Sequence, residues 1–288
     1  LSGITLVFVM NYRWTVSDPC FQEDWRAKLL TVMKKERLSQ EGDIYQFGVW
    51  NGASMIKLRK MFPRAHMWGF DSFEGLPEEV ADYQQSGFMP GNFRPWTSSF
   101  SVPKLIGQLG GADKAGIIVG FFNVSLRRAL REIYRMSPAM YIDIDTDLYT
   151  GTLQALDWAF ASGLVRPGTL IGYDDWWTNP CSRGGENLHP LDSGEGRAHR
   201  EIAEAYHVKF RCVHGPCMLQ PPHLAESWKC PSNWGPIFVV EAIDGATKAE
   251  HGDRMSSEDV AVFTAEHHNC QSLHRSQYHS VVVSPEKK

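Results

Sequence analysis

The sequence predicts an α/β fold: a mostly parallel seven-stranded sheet with helices on both faces and an antiparallel hairpin closing one edge. Short apolar runs bounded by Gly or Asp recur at 44–47, 67–70, 117–119, 140–144 and 170–173. Helical stretches at 53–61, 125–134 and 152–161 lie between most of them, and strands alternating with helices of that length build parallel sheets covered on both faces. Two later runs, 208–213 and 237–243, have no clear helix between them and read as the antiparallel edge pair.

At the N-terminal end, Asp18-Pro19 has the form of a helix cap followed by proline at the first helical position. Phe21, Trp25, Leu29 and Met33 then recur at helical spacing, and the helix is expected to end near Gly42. Residues 1–40 are read as an N-terminal helical or lid segment, 41–245 as the main domain and 246–288 as a polar, His-containing tail. Within the main domain, 78–103 carries Tyr83, Phe88, Phe93, Trp96 and Phe100 among Pro90, Gly91 and Pro95, the make-up of a long ordered loop or lid. Residues 214–236 hold Pro216, Pro221, Pro222, Pro231 and Pro236 and read as an insertion between the last two strands.

With 288 residues, 43% hydrophobic and 22% charged, the chain is a globular one that can bury a sizeable core without staples. A net charge of −4 offers no polyanion-binding surface, so no nucleic-acid partner is expected. The longest apolar run, 4–10, is far short of the ~20 residues that span a bilayer. It lacks the basic flank and cleavage site of a signal peptide, and no membrane association is expected. Beginning at Leu1, the chain has the form of a fragment from which an upstream targeting signal can be missing. Six scattered cysteines make no disulfide framework, so the cytoplasm is the default location. The Asn123-Val124-Ser125 sequon is set aside because it falls in what reads as a buried strand-to-helix turn.

The first strand runs into Phe47-Gly48-Val49-Trp50-Asn51-Gly52-Ala53-Ser54. Gly48 and Gly52 let the backbone approach a ligand, and the next helix offers its N-terminal amides to a negative group. The run is not G-x-G-x-x-G, so the dinucleotide fingerprint is missing. Asp71 ends the second strand, where an acidic residue either binds ribose hydroxyls or caps a turn; spacing alone leaves the two even. The acidic signal is stronger. Alternation places Asp143, Asp145 and Asp147 on one face if the strand continues that far, and the next strand ends in Asp174-Asp175. In a Rossmann-like sheet these strands are neighbours, and their C-terminal ends line the ligand crevice. Carboxylates crowded there repel unless something compensates, and a hard divalent cation, Mg²⁺, is the economical answer. Protonation of one carboxylate, or capping of the following helices, is the alternative.

These motifs together resemble the macrocin (TylF-like) O-methyltransferases. The resemblance covers roughly residues 40–210 and rests on the Phe47 to Gly52 run, Phe70-Asp71-Ser72-Phe73-Glu74-Gly75-Leu76-Pro77, Gly120-Phe121-Phe122, Asp145-Thr146-Asp147-Leu148-Tyr149 and Asp174-Asp175-Trp176. It implies a Rossmann-like class I methyltransferase that uses S-adenosyl-L-methionine and Mg²⁺ to methylate a hydroxyl of a sugar-like or polyhydroxylated small molecule. Carried onto matching positions, it implies that Phe47, Gly48, Gly52 and Ser54 hold the methionine end of the cofactor, Asp71 and Ser72 the ribose, and Gly120 and Phe121 the adenine. It implies metal ligation by Asp145, Asp174 and Asp175, with Asp145 or Asp147 as general base. Gln46 stands where the pattern commonly has glutamate, and Thr146 where glycine is usual, so Thr146 is expected to narrow the site. The partner expected is a small-molecule hydroxyl acceptor, with a homo-oligomer left open.

Two rival classes remain: a nicotinamide-dependent oxidoreductase on a similar sheet, and a non-catalytic protein that kept the fold. Among weaker candidates, Cys212, His214, Cys217, His223 and Cys230 match no tight zinc spacing. His189 and His199 follow the metal motif and are more often surface or capping residues than bases. Trp176-Trp177 is expected to help wall the acceptor pocket, although such a pair is as often core.

Overall fold

A computed structural model describes residues 25–82, 88–95, 100–176, 194–214 and 235–244. Seven strands, β1 (Asp43–Phe47), β2 (Met67–Asp71), β3 (Ala115–Val119), β4 (Ala139–Ile144), β5 (Leu170–Tyr173), β6 (Val208–His214) and β7 (Ile237–Ile243), form one sheet in the order β3-β2-β1-β4-β5-β7-β6. The first five pair in parallel, and β7 lies antiparallel to both β5 and β6. The expected architecture is the one found.

Strand alternation sends side chains into two cores. Tyr45, Phe47, Trp68, Phe70, Ile142, Ile144 and Tyr173 fill one face. There they meet the helices α5 (Leu130–Ile133), α6 (Tyr149–Ala161) and α7 (Gly194–Ala205) through Leu130, Leu156 and Ile202. Ile44, Met67, Ile117 and Tyr141 fill the other, against α1 (Leu29–Lys35), α2 (Ala53–Met61) and α3 (Val102–Gln108) through Leu29, Met33, Met55 and Leu105. Helix α1 is preceded by a 3₁₀ turn, Trp25–Lys28, and stops at Glu36, short of the Gly42 end expected from spacing.

The stretch 125–134, expected as one helix, is two short ones. The four-residue α4 (Phe122–Ser125) ends where Leu126 leaves helical geometry, and α5 starts at Leu130. The Trp158 indole donates to the Arg127 carbonyl at 3.0 Å, so a tertiary bond takes an acceptor that a continuous helix would use. Asn123 is exposed, not buried as the sequence suggested, whereas Ser125 is buried and donates to the Gly120 carbonyl at 3.0 Å. Cys212 in β6 is disulfide-bonded, which takes it out of the cysteine–histidine set. Cys217, His223, Cys230, His189 and Trp177 lie outside the described residues. No helix among the described residues is long and apolar enough to cross a membrane.

Candidate active site

The glycine turn after β1 is built around a carboxylate. Asp71 Oδ2 accepts the amides of Val49 and Trp50, both at 2.7 Å, and its Oδ1 accepts that of Phe73 at 2.6 Å. One side chain thus closes the β1–α2 turn and opens the β2 turn. Of the two roles the sequence left even for Asp71, turn bracing is the one these bonds display. Burial pushes its carboxyl up and the backbone amides pull it down. Ser72 makes a local turn, accepting from the Glu74 amide at 3.0 Å and donating to Gly75 at 3.3 Å.

Gly48 (φ 84°) is needed for a reason other than ligand approach. A Cβ there would collide with the Asp145 carbonyl oxygen, so the turn of β1 rests directly on the loop after β4. Gly52 (φ 79°) similarly leaves room for Leu105 of α3. The Phe47 ring is fully buried and stacks on Phe70 at 4.7 Å, which leaves its backbone as the part that faces the turn. Gln46, also fully buried, donates from Nε2 to the Gly48 carbonyl at 2.8 Å and to Ser54 Oγ at 2.6 Å. It therefore bonds two of the predicted cofactor positions to each other. Gly120 (φ 137°) and Phe121 form the turn after β3, whose amide at Gly120 donates to the Asp71 carbonyl at 2.9 Å.

The acidic rim is set by the sheet ladder running one residue past each strand. Asp145 N–H donates to the Phe47 carbonyl and Asp174 N–H to the Ile144 carbonyl, both at 2.9 Å. These bonds fix two aspartates side by side, and Asp145, Asp174 and Asp175 offer carboxylate oxygens that lie within 4.8 Å of one another. The three expected metal ligands are therefore brought together. Asp147 is not on β4, which ends at Ile144; it sits in a left-handed turn (φ 63°) beside Asp175. Burial, then Asp175 and Asp145, push its carboxyl well up. Asp145 is pushed up by burial and by Asp174, against the pull of Arg26.

Two residues of this rim were missed by sequence reasoning. Arg26 reaches in from the 3₁₀ turn before α1. Its Nε donates to Asp143 Oδ2 at 2.8 Å, Nη2 to Asp145 Oδ2 at 2.9 Å and Nη1 to Asp174 Oδ1 at 3.3 Å. Asp143 also accepts from the Tyr141 hydroxyl at 3.0 Å and is entirely buried, with its carboxyl pushed up to about 6 by burial against the opposing pull of Arg26. It is thus the inner partner of an arginine, not a member of an open carboxylate face. A signal existed: Arg26 precedes Leu29 by three residues and Met33 by seven, which puts a charge on the apolar stripe of α1. The second is Glu195, at the start of α7 and 1% exposed. Its Oε2 accepts the Asp175 amide at 3.0 Å, while Oε1 has no hydrogen-bond partner among the described residues.

Thr146 does not narrow the site; it is buried and its hydroxyl bonds Thr152 Oγ1 at 2.7 Å in the first turns of α6. Trp176 is 1% exposed among Tyr173, Phe238 and His199, so it is core and does not line a pocket. His199 lies in the same cluster, its Nδ1 2.8 Å from the Tyr173 hydroxyl, and burial pushes it down to about 3. It is a neutral core group. The start of the aromatic loop is pinned beside the rim: Glu79 accepts from the Thr150 amide at 2.8 Å and Asp82 from the Gly194 amide at 2.7 Å, at the N-termini of α6 and α7.

A family model described as macrocin-O-methyltransferase (TylF) matches residues 26–189. The chain is 28% identical over 156 residues to the 8-demethyl-8-(2,3-dimethoxy-alpha-L-rhamnosyl)-tetracenomycin-C 4'-O-methyltransferase of Streptomyces olivaceus, a match covering 49% of this chain and 55% of that one. It therefore spans little more than half the length of that relative. The O-methyltransferase NovP has a similar fold, with TM-score 0.50 and 17% identity over 75% of this chain and 78% of that one. The calicheamicin methyltransferase CalS11 gives TM-score 0.49 and 20% identity, covering 76% of this chain and 79% of that one.

Proposed function

This chain belongs to the macrocin-O-methyltransferase family, and we propose that it transfers a methyl group from S-adenosyl-L-methionine to a hydroxyl of a sugar-like or polyhydroxylated small molecule. The observation that carries the reading is the juxtaposition of the Asp145, Asp174 and Asp175 carboxylates at the ends of β4 and β5 with the glycine turn that rests on Asp145. An all-oxygen, acidic donor set with a further buried carboxylate oxygen nearby, Glu195 Oε1, fits a hard divalent cation. Asp145, Asp174 and Asp175 would hold Mg²⁺. When bound, it would supply the Lewis acidity that a sugar hydroxyl, protonated at neutral pH, lacks.

The chain's own groups do the rest. The Gly48 to Gly52 turn, Ser54, Asp71 and Ser72 shape the cofactor side, with Gly120 and Phe121 at its far end. Asp147, its carboxyl pushed up by burial and then by Asp175 and Asp145, takes the acceptor's proton as the oxygen is methylated. The pinned loop start beside the rim helps keep the reacting atoms in one geometry. Arg26, from the segment proposed as an N-terminal one, contributes to the site.

The test is calorimetric titration of S-adenosylhomocysteine with Mg²⁺ and then with chelator, NADH serving as comparison ligand, followed by a screen of polyol and sugar acceptors. Micromolar binding of the nucleoside but not of NADH, and methyl transfer that chelator stops, is the expected result. NADH binding alone would restore the oxidoreductase. Asp145→Asn should abolish Mg²⁺-dependent turnover and leave S-adenosylhomocysteine affinity within about twofold; turnover at the parent rate would remove the metal assignment.

A further inference from the structure

We infer that Arg26 is a resident counter-cation of the acidic rim, which holds the affinity of Asp145, Asp174 and Asp175 for a divalent cation down. The inference rests on the metal role proposed for those three residues. One guanidinium bonds two of the three ligands, Asp145 at 2.9 Å and Asp174 at 3.3 Å, while its Nε is fixed to Asp143 at 2.8 Å behind them. The side chain is 7% exposed and Asp143 is 0% exposed, so the pair lies where little solvent screens it. The charge therefore acts on any cation the rim takes up.

Two consequences oppose each other. As a scaffold, Arg26 orders the Asp145 and Asp174 carboxylates and so would favour metal. As a charge, it repels a divalent ion and occupies carboxylate oxygens that the ion would share. The ordering is duplicated: the Phe47 carbonyl and the Ile144 carbonyl already fix the backbones of Asp145 and Asp174, and Glu195 fixes that of Asp175. Among the described residues, Arg26 is the cation that pairs with Asp145 and Asp174. Repulsion is therefore the effect that decides affinity. Because Arg26 is delivered by the turn that starts α1, the seating of that helix and the cation affinity of the rim are linked.

Removing Arg26 alone would strand the buried Asp143 charge and can unfold the chain. The experiment therefore uses full-length Asp143→Asn as the parent and adds Arg26→Met or Arg26→Lys. MgCl₂ and MnCl₂ are titrated calorimetrically into each, with S-adenosylhomocysteine binding measured separately; Arg26→Gln replaces Arg26→Met if the latter does not fold. The expected result is cation affinity at least tenfold tighter with Arg26→Met than in the parent, and affinity near the parent's with Arg26→Lys, which keeps the charge. Equal or weaker affinity with Arg26→Met would make Arg26 a scaffold and overturn the inference, while leaving the metal reading standing. Cation binding by none of the variants, with nucleoside binding intact, would overturn both the inference and the metal role but not the methyltransferase reading.

Discussion

The two halves of the site are held together by different means. The glycine-turn half is stitched locally: Asp71, Gln46 and Ser72 bond backbone and side chains within about one turn and its neighbouring strand. The acidic half depends on distant chain. Arg26 lies 117 residues from Asp143, 119 from Asp145 and 148 from Asp174, against at most 22 for the bonds of Asp71. A local stitch is written in a motif and survives changes elsewhere. A remote one couples the site to whatever seats α1 and α7.

The largest effect should come from breaking the remote stitch. Arg26→Met alone should cost about 3–5 kcal/mol, because a buried carboxylate loses its partner, and Asp143→Asn should restore part of it. Urea denaturation of the two single variants and the double variant reads this directly. A cost below about 1 kcal/mol would place Arg26 among ordinary surface arginines and end the contrast between the halves.

Next is the joint between them. Gly48→Ala adds a methyl against the Asp145 carbonyl at a left-handed position and should cost roughly 2–4 kcal/mol. It should weaken both S-adenosylhomocysteine and Mg²⁺ binding, whereas a change confined to one half should weaken one ligand only. Asp71→Ala is such a change. It strands three amides, should cost about 1–3 kcal/mol, and should weaken S-adenosylhomocysteine roughly tenfold with Mg²⁺ affinity unaltered. Equal nucleoside affinity would remove Asp71 from the cofactor side.

The smallest effects sharpen the boundary. His199 is pushed down to about 3 by burial, below the ordinary 6.5, so the unfolded chain binds its proton first as the solution is acidified. Its contribution is complete above about pH 6.5 and is lost toward pH 3, with a slope near 1.4 kcal/mol per unit. His199→Gln keeps a partner for Tyr173 and should gain on the parent by about that slope between pH 6 and 5; parallel curves would contradict the buried, neutral assignment. Thr146→Val should cost about 1 kcal/mol through the lost bond to Thr152 and leave Mg²⁺ affinity alone, since that hydroxyl points into α6.

Much of this was legible in the chain itself, where the physics is local. Alternating apolar runs and helical periods are short-range signals, and they specified the five parallel strands and the closing hairpin. Asp145, Asp174 and Asp175 were readable because strand ends of neighbouring β4 and β5 must meet. The break between α4 and α5 was not, since an indole 31 residues away takes the carbonyl that a continuous helix needs. Nor was the role of Asp71, whose partners are amides of two separate turns.

The sequence by itself determined the parallel strands, the antiparallel closing pair and the residue types at the crevice, because periodicity and turn chemistry act over a few residues. Only the tertiary structure decided which charges those residues would face. It turned Asp143 inward to Arg26, set Asp147 off the strand, folded Thr146 and Trp176 into the core and placed Glu195 behind Asp175. The physical reason is that a buried charge is settled by its nearest counter-charge in space, and here that partner arrives from segments far away in sequence.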